Sequence, residues 1–194
     1  MTHMKPRDLA FTMEAVSRLP GISDDLFTKF EKAALFRMQE FLPHYLIKIM
    51  VSFNRAQQGS GELFSQLIEN INQNFAMLSY TDAIRYFELY PRVSYLYDHT
   101  MSSELHAQML DKFSTVLGNH RALPTEDISR IFNILVQTTP YRSADEVHVS
   151  NEVFKRLRSN LHAIPKEHFA QTLCNLAEFQ NPDIAEKAIK MILH

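Results

Sequence analysis

The stretch Leu123-Pro124-Thr125-Glu126-Asp127-Ile128-Ser129-Arg130-Ile131-Phe132-Asn133-Ile134-Leu135-Val136 decides the fold. It is the entry to a helix. Pro124 and Thr125 suit the capping and first-turn positions, Glu126 and Asp127 complement the positive end of the helix dipole, and Leu123 staples onto the first turn. Ile128, Ile131, Phe132 and Leu135 then recur at spacings of three, four and seven, which is one apolar helix face. Similar entries open at Ile164-Pro165-Lys166-Glu167-His168-Phe169, at Leu42-Pro43-His44-Tyr45-Leu46 and at Leu78-Ser79-Tyr80-Thr81-Asp82-Ala83-Ile84. One helix entry met four times predicts a series of helical hairpins.

Working outward, each entry has a partner helix. A lead-in over residues 1–23 holds Leu9, Phe11, Met13, Val16 and Leu19, a short amphipathic helix ending before Pro20-Gly21. Ser23, Asp24 and Asp25 cap the first hairpin, whose helices carry Leu26, Phe27 and Phe30, then Leu46, Ile49, Met50 and Phe53. Gln57-Gln58-Gly59-Ser60-Gly61 is the clearest linker. The second hairpin has Leu63, Phe64, Leu67, Ile68 and Ile71, then Ile84 and Phe87, with a stop expected before Pro91 and a further piece, Val93 to Tyr97, that extends the helix or begins a loop turn. The third starts after Ser102 or Ser103, runs through Leu105, Met109, Leu110, Phe113 and Leu117 to Gly118-Asn119, and closes at Thr138-Thr139-Pro140. The fourth begins near Ser143 or Ser150, with Phe169, Leu173, Leu176 and Phe179 on its second helix and a last helix after Asn181-Pro182-Asp183. The spacings Leu42 to Leu78, Leu78 to Leu123 and Leu123 to Ile164 are 36, 45 and 41 residues. Periods in this range belong to helical hairpins that bury their faces against neighbours. The expectation is an all-α, irregular helical-hairpin repeat, α-solenoid-like, with about four hairpins in one domain over residues 24–194. The competing architecture is a non-repeating helical bundle.

Composition agrees with that class. Of 194 residues 45% are apolar and 22% charged, and only 4 are glycine, which suits helices with short punctuation. A formal net charge of -2 argues against a globally basic nucleic-acid binder. Cys174 is the single cysteine, so no intramolecular disulfide and no cysteine-rich zinc motif forms; between Leu173 and Leu176 it reads as a small core residue. No apolar run reaches the length of a membrane span, and the N-terminus has no signal-peptide core.

The alternation Leu63-Phe64…Leu67, Leu78, Ile84…Phe87, Leu105…Leu110, Leu123-Pro124 and Ile128…Phe132-Asn133-Ile134-Leu135, with Leu173-Cys174-Asn175-Leu176-Ala177-Glu178-Phe179, resembles the degenerate repeats of octotricopeptide and FAST-kinase-like proteins. The resemblance covers residues 24–194. It implies a helical fold, a mitochondrial or plastid setting, and either organellar RNA processing, stability or translation or a structural place in an organellar assembly. The variable repeat length departs from a regular array, and no RAP-type terminal domain follows. Steady pentatricopeptide and tetratricopeptide periods are absent.

Motifs for chemistry are negative. There is no phosphate-cradling glycine loop, no H-E-x-x-H and no G-x-S-x-G, and no two histidines stand at i, i+4 on a helix. Asp98, His99 and His106 are near in sequence, but capping or surface roles suit them better than metal binding. No cofactor is implied, and the chain is read as non-enzymatic.

Two stretches suggest binding. Tyr86, Tyr90, Arg92, Tyr95 and Tyr97 interleave aromatics with a cation, a pattern that stacks bases, packs helices or faces a protein partner. Residues 61–110 hold two basic side chains against six acidic ones, which favours packing or a protein interface over phosphate. Lys155, Arg156, Arg158 and Lys166 form the densest basic cluster, suited to a phosphate backbone, an acidic partner or plain solvation. The functional expectation is therefore a scaffold or binding subunit among other protein subunits, mitochondrial by resemblance and otherwise cytoplasmic. The alternative is an organellar RNA-binding factor.

Overall fold

Ser60 shows how the helices begin. Its hydroxyl accepts from the Leu63 amide at 3.2 Å, satisfying one of the donors that a helix start leaves open, and α4 (Gly61–Gln73) follows. Ser102 does the same for Leu105 at 3.1 Å, at the head of α6 (Ser103–Asn119). At Ser23, before α2 (Asp24–Phe36), the side chain makes no cap bond, and the paired carboxylates Asp24 and Asp25 face the helix dipole instead. The structure, a computed structural model, describes residues 4–97, 101–119, 123–138, 149–153, 155–157, 163–165, 172 and 175.

The remaining helices are α1 (Pro6–Val16), α3 (Pro43–Ala56), α5 (Tyr80–Tyr97) and α7 (Thr125–Thr138), with further helical residues at 149–153 and 155–157. No strand occurs among the described residues. The fold is an all-α helical-hairpin repeat: α2–α3, α4–α5 and α6–α7 are three hairpins, and residues 149–157 lie where the fourth was expected to begin. Of the second helix of that fourth hairpin, Thr172 and Asn175 are described, both helical and buried; the last helix and Cys174 lie outside the described residues. The chain divides into two compact units, Met1–Leu105 and His106–His194.

In the first unit the repeat is stricter than the Leu-Pro spacings suggest. α2 and α4 are both 13 residues long, and each leads through a residue of matching geometry (Arg37, φ -117, ψ 17; Asn74, φ -116, ψ 19) into a 3-10 turn. The turns Met38–Glu40 and Phe75–Met77 exit through extended Phe41 and Leu78. Met38 with Phe75, and Phe41 with Leu78, are buried. Phe41, not Leu42, is therefore the counterpart of Leu78, and the period is 37 residues rather than 36. A turn is fixed by the apolar side chains it pushes into the core, and Leu42 points outward.

The same step carries backward into the lead-in. Pro6 and Pro43 both occupy the first turn of a helix after an extended residue, and Leu9, Ala10 and Met13 are buried as are Leu46, Ile47 and Met50. α1 is thus a second-type helix and packs along α3. Lys48 Nζ lies 2.8 Å from Glu14 Oε2, and Arg18 Nη2 lies 2.8 Å from Glu14 Oε1. The Lys48 ammonium also sits 4.7 Å from the centre of the Phe11 ring, which meets Tyr45 edge-on at 6.3 Å. Between the hairpins, Gln57 and Gly59 reverse the chain with φ of 54° and 104°. A Cβ on Gly59 would approach Phe64 to 2.9 Å, so that position needs glycine for both space and conformation.

One expectation fails at Pro91. α5 continues through it to Tyr97, with Tyr90 and Val93 buried on either side. An interior proline costs a helix about 3 kcal/mol, and each buried apolar side chain returns about 1.5–3 kcal/mol, so tertiary burial carries the helix past its local stop.

Within the second unit, Met109, Phe113 and Leu117 of α6, and Ile128, Ile131, Phe132 and Leu135 of α7, are buried. All four residues of the expected α7 face are buried, and Ile134, which that expectation left out, is buried with them.

Candidate interaction surfaces

The aromatic set divides by helix face. Spacings of three and four put Ala83, Tyr86, Phe87, Tyr90 and Val93 on the buried side of α5, while Arg85, Glu88 and Arg92 stand on the exposed side. Tyr86 donates its hydroxyl proton to Asn72 Oδ1 at 2.6 Å and meets Tyr90 edge-on at 5.5 Å. Phe75 and Phe87 extend the cluster at 5.4 Å. Burial pushes both phenols to higher pKa, for Tyr86 far above the ordinary range, with the neighbouring Tyr90 adding to the rise and the Asn72 bond opposing it. Tyr86 and Tyr90 are therefore core residues, which corrects the expectation that they face a partner. Of that set, Arg92 is exposed, and the side chains of Tyr95 and Tyr97 lie outside the described residues.

Of the basic cluster, Arg156 is bound within the protein. Arg156 Nε bonds Glu152 Oε1 at 3.2 Å, and Nη2 donates to the Leu117 carbonyl in the last turn of α6. A guanidinium on the terminal carbonyls of a helix satisfies acceptors that have no partner within the helix and opposes the negative end of the dipole. Arg156 thus clasps α6, beside a cleft of about 270 Å³ lined by Ser114, Leu117, Gly118, Val149 and Glu152. Lys155 is exposed, and Arg158 and Lys166 lie outside the described residues.

The sequence reading missed the turn edge of the first unit. Phe36 is 87% exposed at the end of α2, Leu42 is 50% exposed just before α3, and Met77 is 69% exposed in the second 3-10 turn. Gln39 Nε2 donates to Asn70 Oδ1 at 3.0 Å, tying the first turn to the end of α4, from which the second turn departs. Both turns therefore lie on one edge, and that edge carries three large apolar side chains in solvent. The register of 37 would have exposed two of them: Phe36 falls outside the buried stripe of α2, and Leu42 sits one place past the anchor Phe41.

Among the described residues no group of three or more His, Cys, Asp or Glu side chains is placed to hold a metal ion, and no helix is long and apolar enough to cross a membrane. In comparisons with known proteins, no family model matches the chain and no curated protein matches it.

Proposed function

We propose that the protein is a non-catalytic helical-repeat scaffold that joins other protein subunits in a larger assembly, within mitochondria. The observation that carries this is the turn edge. Phe36, Leu42 and Met77 stand in solvent where two hairpin turns meet one edge, and aromatic and methionine side chains are the kind enriched at the centre of protein interfaces. The mitochondrial setting rests on the resemblance to octotricopeptide and FAST-kinase-like repeats.

The experiment is affinity purification of the tagged chain from its native source, with and without ribonuclease, beside the double variant Phe36→Ser, Met77→Ser. Partners held in fixed stoichiometry through ribonuclease, and lost with the double variant, support the scaffold. Partners that disappear with ribonuclease overturn it in favour of RNA binding.

A further inference from the structure

Arg18, Arg55 and Arg92 stand 37 residues apart, at one register position of three successive second-type helices, Arg18 just past the end of α1 and the other two within α3 and α5. α3 lies between α1 and α5. The pairs Phe11 with Tyr45, Glu14 with Lys48 and Ser17 with Arg55 advance along α1 and α3 together, so these two helices run parallel. All three arginines are exposed. The core does not require them, because the buried period is carried by Leu9, Leu46 and Ala83 and by Met13, Met50 and Phe87. The helix dipole accounts for Arg55 in the last turn of α3 and for Arg18 just beyond α1. It does not account for Arg92, which five more helical residues follow.

α3, the middle helix of the row, differs in sign from its neighbour α4. α3 carries Lys48 and Arg55 and no carboxylate, whereas α4 carries Glu62 and Glu69 and no cation. Two acids share the row: Glu14, already bound by Lys48 and Arg18, and Glu88, one turn before Arg92.

We propose that this arginine row is the docking site for an extended acidic peptide segment of a protein partner, a proposal that rests on the scaffold reading above. Neighbouring helix axes lie about 8–10 Å apart, and a chain in the extended polyproline II conformation advances about 3.1 Å per residue with three residues to the turn. One helix therefore corresponds to about three peptide residues, and the fitting segment has a carboxylate at every third position, all on one side of the chain. A peptide suits the row better than a polyphosphate, because the intervening carboxylates Glu14 and Glu88 and the net charge of -2 oppose a continuous line of anions.

The test is fluorescence anisotropy on the full chain with two labelled peptides of one composition. One has glutamate at every third position and the other has its glutamates contiguous. A single-stranded oligouridylate serves as competitor. The spaced peptide binds more tightly than the contiguous one, and binding weakens with salt. The triple variant Arg18→Gln, Arg55→Gln, Arg92→Gln weakens it by about tenfold, the sum of three exposed ion pairs, with an unchanged circular dichroism spectrum. Arg92→Gln alone, in mid-helix, weakens it by about twofold and serves if the triple variant misfolds. Equal affinity for both peptides, unaltered binding by the variants, or stronger binding of oligouridylate overturns the proposal. If the peptides fail while the purified partners still depend on Phe36 and Met77, the row is refuted and the scaffold stands.

Discussion

Glu14→Gln tests how α1 is held. The Glu14 carboxylate lies between Lys48 and Arg18 at 2.8 Å each, with Glu14 and Lys48 side chains only 19% and 20% exposed. Arg18 is 62% exposed and adds little. Exposed ion pairs contribute about 0.2–1 kcal/mol, and breaking a fully buried one costs about 3–5 kcal/mol. A pair four-fifths buried, with one solvated partner, falls between, and about 1–2 kcal/mol is expected. For a unit of this size 1 kcal/mol moves the melting temperature by about 4 °C. The Lys48 hydrogen bond holds the carboxyl below its ordinary value of 4.5; burial opposes this, and the charges of Lys48 and Arg18 assist. A lowered folded pKa means stability that is fully present above the unfolded value and lost as pH falls through the folded one. Thermal melts followed by circular dichroism, from about pH 7 to about pH 3, therefore show native protein and variant furthest apart at neutral pH and converging in acid. Hydrogen exchange shows the loss of protection concentrated in α1. A gap that stays constant with pH, or none at neutral pH, refutes the argument.

Further outcomes follow from local geometry. Gly59→Ala forces a Cβ against Phe64 and Phe53 at a φ of 104° and costs about 2–3 kcal/mol in urea melts. Gly21→Ala, at φ 72° with open space around it, costs about 1 kcal/mol. Ser60→Ala removes the cap on Leu63 and the bond from its hydroxyl to Glu31, a loss of about 1–2 kcal/mol, whereas Ser23→Ala leaves stability nearly unchanged in the same assay. Tyr86→Phe deprives Asn72 of its donor and lowers unfolding free energy by about 1 kcal/mol; a tyrosine serving only a partner would leave it unaltered.

The helices were legible because their signals are local. The α7 face Ile128, Ile131, Phe132 and Leu135 needs only a period, and Ser102 is a serine ahead of an apolar run; Ser60 read as linker, and Ser23, which stands in the same relation to Leu26, makes no cap bond. The turns were less so. Leu42-Pro43 looks like an anchor because proline marks a helix start, yet the buried residue is Phe41; which of two adjacent apolar residues turns inward depends on the 3-10 turn before them. Pro91 misleads for a related reason. Its local cost is visible in the sequence, while the burial of Tyr90 and Val93 that offsets it depends on how α5 packs with the helices beside it, α3 and α4.

The candidate surfaces show a sharper limit. Interleaved tyrosine and arginine signify stacking, but the pattern does not say whether an aromatic stacks on a base or on another helix. In α5 the helical period decides: residues three and four apart bury together, so Tyr86 and Tyr90 leave the surface and the arginines remain. Likewise a run of cations does not reveal that Arg156 is turned onto the end of α6. Recurrence discriminates better than composition. A residue that recurs at a buried repeat position is explained by the core it fills, as with Leu9 and Leu46. Recurrence at an exposed position, as with Arg18, Arg55 and Arg92, is not demanded by the core; the helix dipole and the bonds to Glu14 and Ser17 explain Arg18 and Arg55, and for Arg92, in mid-helix, the physical explanation has to be sought in what touches the molecule from outside.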